Sequence, residues 1–242
     1  MKQILVGFVF LLTFQTTQAQ LFKKEKITYD ANQGRGTTDF KFLRWGYFLG
    51  INNYDFNFDY NQDLPDIYVK MSPGFSVGLI GNMRVNSFLD LRLEPGLFIT
   101  TRELFYNEEY FQGVDFRESD LSREVKSTYI HIPLLLKVST KRINNFKPFI
   151  IGGISTAINL SSNENNPDDN SKGQFRTKSR PLFYELGFGI DFYLYNFKFT
   201  PSIRGLFGMG DELIRDNDPN SPWTSNITRM QTRGIFLNFT FQ

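Results

Sequence analysis

The sequence predicts an all-β fold: an eight-stranded antiparallel transmembrane β-barrel with short periplasmic turns and long extracellular loops. Three observations predict it. A secretory leader is followed by no apolar run long enough for a transmembrane helix, eight later stretches carry apolar side chains at every second position, and their connections alternate between short and long. The mean hydropathy of −0.32 suits a barrel as well as a soluble protein, because a membrane strand needs apolar residues only on its lipid face.

The leader is MKQILVGFVFLLTFQTTQAQ. Lys2 supplies the positive end, Ile4–Phe14 the apolar run, and Thr17-Gln18-Ala19 the small-residue cleavage site. Residues 1–19 therefore read as a signal peptide whose removal leaves Gln20 first, since the run is too short to anchor the chain across a bilayer. Residues 20–43, with KKEK and NQGRG, read as a periplasmic lead-in, and residues 44–242 as the barrel.

The strands follow in order. RWGYFLGIN is the first, and GFSVGLIGN, the second, sets Phe75, Val77 and Leu79 against Gly74, Ser76 and Gly78. The third, FLDLRLEPGLFI, has Leu89, Leu91, Leu93, Leu97 and Ile99 on one face and Asp90, Arg92, Glu94 and Gly96 on the other. In the fourth, YIHIPLLLK, Ile130, Ile132, Leu134 and Leu136 face lipid with the following Val138, while His131, Pro133 and Lys137 face inward. A proline there removes a ladder hydrogen bond and predicts a local bulge or bend.

KPFIIGGISTAINL, the fifth, opposes Ile150, Ile154 and Ile158 to Phe149, Ser155 and Asn159. LFYELGFGIDFYL, the sixth, puts Leu186, Phe188 and Ile190 opposite Glu185 and Asp191. FKFTPSIRGLF, the seventh, opposes Phe199, Ile203 and Phe207 to Lys198, Thr200 and Arg204, and GIFLNFTFQ closes the series. Several patterns run ten residues or more, the length that a tilted membrane strand needs and more than the usual globular strand.

RVNS, STKRINN and YN are short connections. Residues 55–72, 101–124, 161–180 and 209–226 form long polar ones, the alternation of an outer-membrane barrel. An even strand number leaves both ends of the barrel on the periplasmic side.

Eight strands enclose a space that side chains just fill. The inward charges Asp90, Arg92, Glu94, Lys137, Glu185, Asp191 and Arg204, with His131 and Lys198, are therefore expected to pair across a packed lumen, leaving no diffusion pore. Composition narrows the chemistry further. With no cysteine, disulfides, thiolate sites and lipoprotein acylation are excluded, and a single histidine excludes His-rich metal sites.

A net charge of +2 spread along the chain gives no basic face for nucleic acid. A Ser–His hydrolase pair built from His131 with Ser127 or Thr128 fails on geometry, because an inward imidazole cannot reach lipid on the outer wall. GDELIRDNDPNSP spaces Asp216, Asp218 and Asn220 like calcium ligands but lacks the glycine and final glutamate of a calcium loop, so it reads as a solvated acidic loop. Trp45, Tyr47, Tyr129, Tyr193 and Tyr195 near strand ends suit either interfacial girdles or simple strand propensity. No catalytic residue, cofactor or metal is expected.

STYIHIPLLLKVS followed by NNFKPFIIGGISTAINLS resembles the tyrosine-x-x-isoleucine-proline-leucine strand, and the proline-aromatic, glycine-rich strand after it, of the small outer-membrane β-barrel domain common in Bacteroidetes. The last strand, with Ile235, Leu237, Phe239 and Phe241, is similar to the assembly signal of that class, here ending Phe241-Gln242. RWGYFLGINNYDFNF, PGFSVGLIGNMRVNSFLDLRLEPGLFITTREL and YELGFGIDFYLYNFKFTPSIRGLFGMGDEL resemble the PorT family.

That resemblance implies a non-enzymatic part of the type IX secretion system in the outer membrane of a Gram-negative cell. It would support export of proteins with C-terminal sorting domains, and gliding motility in some members. The implied partners are outer-membrane lipid, the barrel assembly machinery (through Phe239 and Phe241) and other secretion subunits. The alternative is an independent surface barrel that binds a ligand or host molecule through its loops.

Overall fold

The computed structural model describes residues 29–30, 35–36, 42–194 and 197–242. The expected signal peptide, most of the expected lead-in, and Tyr195 and Asn196 lie outside the described residues. Before the barrel, β1 (Tyr29–Asp30) and β2 (Arg35–Gly36) pair as a two-rung antiparallel ladder.

The barrel strands are β3 (Leu43–Tyr60), β4 (Tyr68–Arg84), β5 (Leu89–Leu93), β6 (Gly96–Phe105), β7 (Ser122–Ser139), β8 (Phe146–Asn159), β9 (Leu182–Tyr193), β10 (Lys198–Gly208) and β11 (Ile227–Phe241). Every pairing is antiparallel, and β3 pairs with both β4 and β11, so the sheet closes on itself and no edge is left. β5 and β6 are two halves of one passage, which makes eight crossings. Followed once around the ring, the register leaves β3 at Asp55 and returns to it ten residues earlier, at Trp45. That stagger goes with strands tilted by roughly 40° and with an interior that side chains fill.

The expected faces are those of the structure. Leu79, Leu97, Leu134, Ile154, Leu186, Phe188 and Ile235 stand exposed on the outer wall, while Asp90, Arg92, Glu94, His131, Lys137, Glu185, Asp191, Lys198 and Arg204 are buried inside. An apolar outside with a polar inside is the pattern that lipid imposes.

Four expectations are corrected. The third strand is interrupted at Glu94-Pro95, where two prolines meet across the ladder: Glu94 N–H donates to the Pro133 carbonyl at 3.3 Å. Pro133 itself causes no bulge, because the β7–β8 register runs unbroken from Tyr129↔Asn159 to Ser139↔Phe149. The ladder loss falls on the partner strand, and the register shift on the neighbouring β4–β6 ladder lies further along, between Ser72 and Phe75, at Pro73.

Second, the region 55–72 is mostly strand, leaving only residues 61–67 to connect β3 and β4. Likewise 101–124 shrinks to 106–121. The reason is an inversion of polarity. Above Ile51 the outward residues of β3 become Asn53, Asp55, Asn57 and Asp59 while the inward ones become Tyr54, Phe56 and Phe58. β6, β7 and β11 change in the same way, with Glu103, Lys126 and Arg229 facing out and Leu104, Val125 and Met230 facing in. These strands rise past the membrane as a wall wetted outside and dry inside.

Third, Tyr129 and Tyr193 are buried in the lumen and belong to no girdle, whereas Trp45 and Tyr47 are exposed on the outer wall near its periplasmic end. Fourth, the acidic loop carrying Asp216 is not solvated at that residue, whose contacts are described below.

Candidate functional site

The lumen is built in layers. Nearest the periplasm, the inward residues of β5, β7, β9 and β10 form a charge network. Arg92 Nη2 donates to Glu94 Oε1 at 2.6 Å, and Arg204 spans Glu94 Oε2 at 2.9 Å and Glu185 Oε2 at 3.2 Å. His131 Nε2 lies 2.7 Å from Glu185 Oε1. Lys137 Nζ donates to Asp191 and sits 4.0 Å from the centre of the Phe149 ring, and Thr200 Oγ1 donates to Asp191 at 2.7 Å. Asp90 stands opposite Lys137 on the β5–β7 ladder. The structure thus joins Arg92, Glu94, Arg204, Glu185 and His131 into one chain and pairs Lys137 with Asp191. A carboxylate taken out of water needs such partners.

Above this network an aromatic layer closes the bore. Phe48, Phe98, Phe236, Tyr54 and Tyr129 are at most 2% exposed. Their rings meet at 6.0 Å (Phe48–Phe98), 5.2 Å (Phe98–Phe236), 5.2 Å (Tyr54–Phe236) and 5.6 Å (Tyr54–Tyr129). His131 packs edge-on against Phe98 at 5.1 Å. Gly78 and Gly96 make room for this layer, since a Cβ at either would run into the Phe48 ring.

Arg102, fully buried, lies above that layer. Its guanidinium donates to Ser127 Oγ at 2.7 Å and Tyr129 Oη at 3.1 Å and stacks 3.8 Å from the centre of the Phe56 ring. Ser127 is thereby engaged by arginine, while the histidine four positions along is engaged by Glu185. Sequence reading missed Arg102 because it fell inside an expected loop. The alternation Phe98, Thr100, Arg102, Leu104, all inward, was the signal that finds it.

The extracellular connections fold into a cap over this wall. One apolar cluster joins Phe56, Leu104, Val125 and Met230 of the strands to Tyr106, Tyr110, Phe111, Phe175 and Leu213 of the loops, with Trp223 packed against it. Asp216, at 9% exposure, is the polar centre of the cap. It accepts from Asn170 N–H at 3.3 Å, from Asn170 Nδ2 at 3.1 Å and from Ser221 Oγ, and Arg176 lies 3.8 Å away. Asp218 instead accepts from Asn220 N–H at 2.9 Å, and no cluster of three metal-ligating side chains occurs among the described residues.

Arg123 ties the cap to β7. It donates to Asn170 O at 3.0 Å and Ser122 O at 2.7 Å and stacks 4.5 Å from the Trp223 ring centre. Beyond the end of β10, Glu212 completes the wall beside β11, accepting from Thr232 N–H at 2.8 Å and Thr232 Oγ1 at 2.7 Å. Burial raises the Glu212 carboxyl above its ordinary value. Its neighbour Asp211 is also pushed up by burial, but the Met230 N–H and Arg215 outweigh this and hold it below the usual range.

At the periplasmic rim, Phe241 stacks on Tyr47 at 5.3 Å and meets Phe199 at 5.4 Å, and Phe239 stacks on Phe199 at 6.2 Å. The closing strand therefore carries an aromatic patch on its lipid face, across both of its seams.

The chain is similar to solved outer-membrane barrels. It shares 14% identity with the outer membrane protein OprG from Pseudomonas aeruginosa, covering 81% of this chain and 95% of that one with a TM-score of 0.41. For the outer membrane protein AlkL in lipid bilayers the figures are 10%, 90%, 96% and 0.46. For Ail of Yersinia pestis, solved with the heparin analogue sucrose octasulfate, they are 12%, 81%, 96% and 0.37. No curated protein matches. The family profile of the outer membrane protein beta-barrel domain matches residues 18–213, which takes in every strand through β10. On that match the chain belongs to the outer membrane protein beta-barrel domain family.

Proposed function

We propose that this outer-membrane barrel is a non-enzymatic component of the type IX secretion system that supports export of proteins with C-terminal sorting domains through contacts. The observation that carries the reading is the filled lumen: stacked rings and a paired charge network leave no bore for a polypeptide. A folded cargo domain is tens of ångströms across, so the barrel acts by position. The resemblance of RWGYFLGINNYDFNF, PGFSVGLIGNMRVNSFLDLRLEPGLFITTREL and YELGFGIDFYLYNFKFTPSIRGLFGMGDEL to the PorT family supplies the system. The contacting surfaces are the lead-in, the periplasmic turns and the cap; the partners are lipid, the barrel assembly machinery and other secretion subunits. The contact of His131 with Glu185, behind a wall of side chains, supports a role without chemistry.

Deletion of the gene tests this. Sorting-domain proteins accumulate in the periplasm, gliding stops in a motile host, and re-expression restores both. Normal export overturns the proposal. One observation favours a second reading: Val114 and Phe116 stand exposed in the 106–121 connection, a surface suited to an independent ligand-binding barrel. Intact export with loss of surface binding would favour it.

A further inference from the structure

The charge network leaves cations over at the periplasmic mouth. Lys198, the first residue of β10, is 1% exposed and Arg44, the second residue of β3, is 8% exposed. Lys198 Nζ and Arg44 Nε and Nη1 have no hydrogen-bond partner among the described residues. Asp191 is the carboxylate nearest to Lys198, at 3.9 Å, but it already holds Lys137 and Thr200. Lys137, Arg44 and Arg92 add further positive charge around Lys198.

Register places more donors beside these two. Asn82 stands opposite both Arg44 and Arg92, and its side-chain amide has no hydrogen-bond partner among the described residues. Gln242 exchanges backbone hydrogen bonds with Lys198 at 2.7 and 3.0 Å. Its side chain leans over Gly46, where a Cβ would collide with Gln242 Cγ, and its Nε2 is buried with no hydrogen-bond partner among the described residues.

Two cations and two amides on neighbouring strands thus present N–H donors that have no hydrogen-bond partner among the described residues. Buried charge is tolerated when a counter-charge and hydrogen bonds meet it. We infer that the periplasmic mouth of the barrel binds an oxyanion, a phosphate or carboxylate group, held by Arg44 and Lys198 with Asn82 and Gln242. The group enters from the periplasm, since Phe48 and the rings around it close the bore above. It comes either as a free ion or as an acidic side chain of a periplasmic polypeptide.

The test is calorimetric titration of the detergent-purified barrel in low-chloride buffer with inorganic phosphate, and separately with an acetylated tetraglutamate peptide. Thermal unfolding is followed in parallel. Saturable binding of phosphate supports a free-ion site; binding of the peptide alone supports a polypeptide-borne group. In either case Arg44→Gln/Lys198→Gln weakens binding by about tenfold or more, the loss of a charge-assisted bond, Lys198→Arg retains it, and the surface variant Lys70→Ala leaves it unchanged. The bound probe also raises the unfolding temperature of the wild type, a reading that needs no variant to fold. Failure of both probes to bind saturably, or equal affinity in the folded double variant, overturns the inference.

Discussion

Replacing Glu94 with leucine removes the carboxylate that two arginines share. Arg92 reaches it at 2.6 Å and Arg204 at 2.9 Å, and all three side chains are at least nine-tenths buried. Arg204 keeps Glu185 at 3.2 Å, so the charge left stranded is Arg92. Breaking a buried pair by deleting one partner costs about 3–5 kcal/mol. For a domain of this size each kcal/mol moves the midpoint by roughly 2–4 °C, so Glu94→Leu lowers the unfolding temperature by about 6–20 °C. In Glu94→Leu/Arg92→Leu nothing is stranded, and most of that loss returns. The assay is a double-mutant cycle by thermal circular dichroism in detergent, with heat-modifiable mobility on gels as a second reading. Purely additive losses, or silent single variants, would refute the pairing and with it the inside–outside assignment.

Further outcomes follow from other parts of the barrel. Phe239→Asp/Phe241→Asp places two carboxylates on the lipid face of the closing strand, beside Tyr47 and Phe199, and should remove most of the folded band from membrane fractions; unchanged folding would count against a role in assembly. Asp216→Ala strands the Asn170 and Ser221 donors, loosening the cap by about 1–3 kcal/mol, read as faster tryptic cleavage near Lys172. Glu212 is raised by burial, so its contribution is fully present below the unfolded carboxylate pKa and is lost as pH rises through the folded one. Cap protection from protease should therefore fall on that rise in the wild type and stay flatter in Glu212→Gln; an identical profile in the variant would assign the dependence elsewhere.

The membrane-crossing part of the fold was legible because lipid enforces a simple rule. Outward positions such as Leu134, Leu186 and Ile235 must be apolar, and a period of two marks them without any tertiary information. Parity alone also told that Tyr129 and Tyr193 point inward with His131 and Asp191, which decides between the two readings of those tyrosines against a girdle. What hid the upper wall was a change of rule. Once the strands leave the bilayer, Asp55 and Glu103 face water and Phe56 and Leu104 face inward, and a polar outer face looks like a loop to a reader searching for lipid contacts.

The cap was illegible for a different reason. It depends on contacts between segments far apart in sequence, such as Trp223 Nε1 donating to Asp120 O at 2.9 Å and Asn170 reaching Asp216. No local period records them. Nor did the sequence reveal which carboxylate takes which cation, since the shear of the barrel sets those distances.

On the proposed function this barrel works with its lumen closed. Single-barrel conductance in planar lipid bilayers tests that claim most directly. The wild type should show no stepwise current, and Phe98→Gly/Phe236→Gly, which removes two rings of the aromatic layer, should open measurable steps. Resolved steps from the folded wild type would contradict the account.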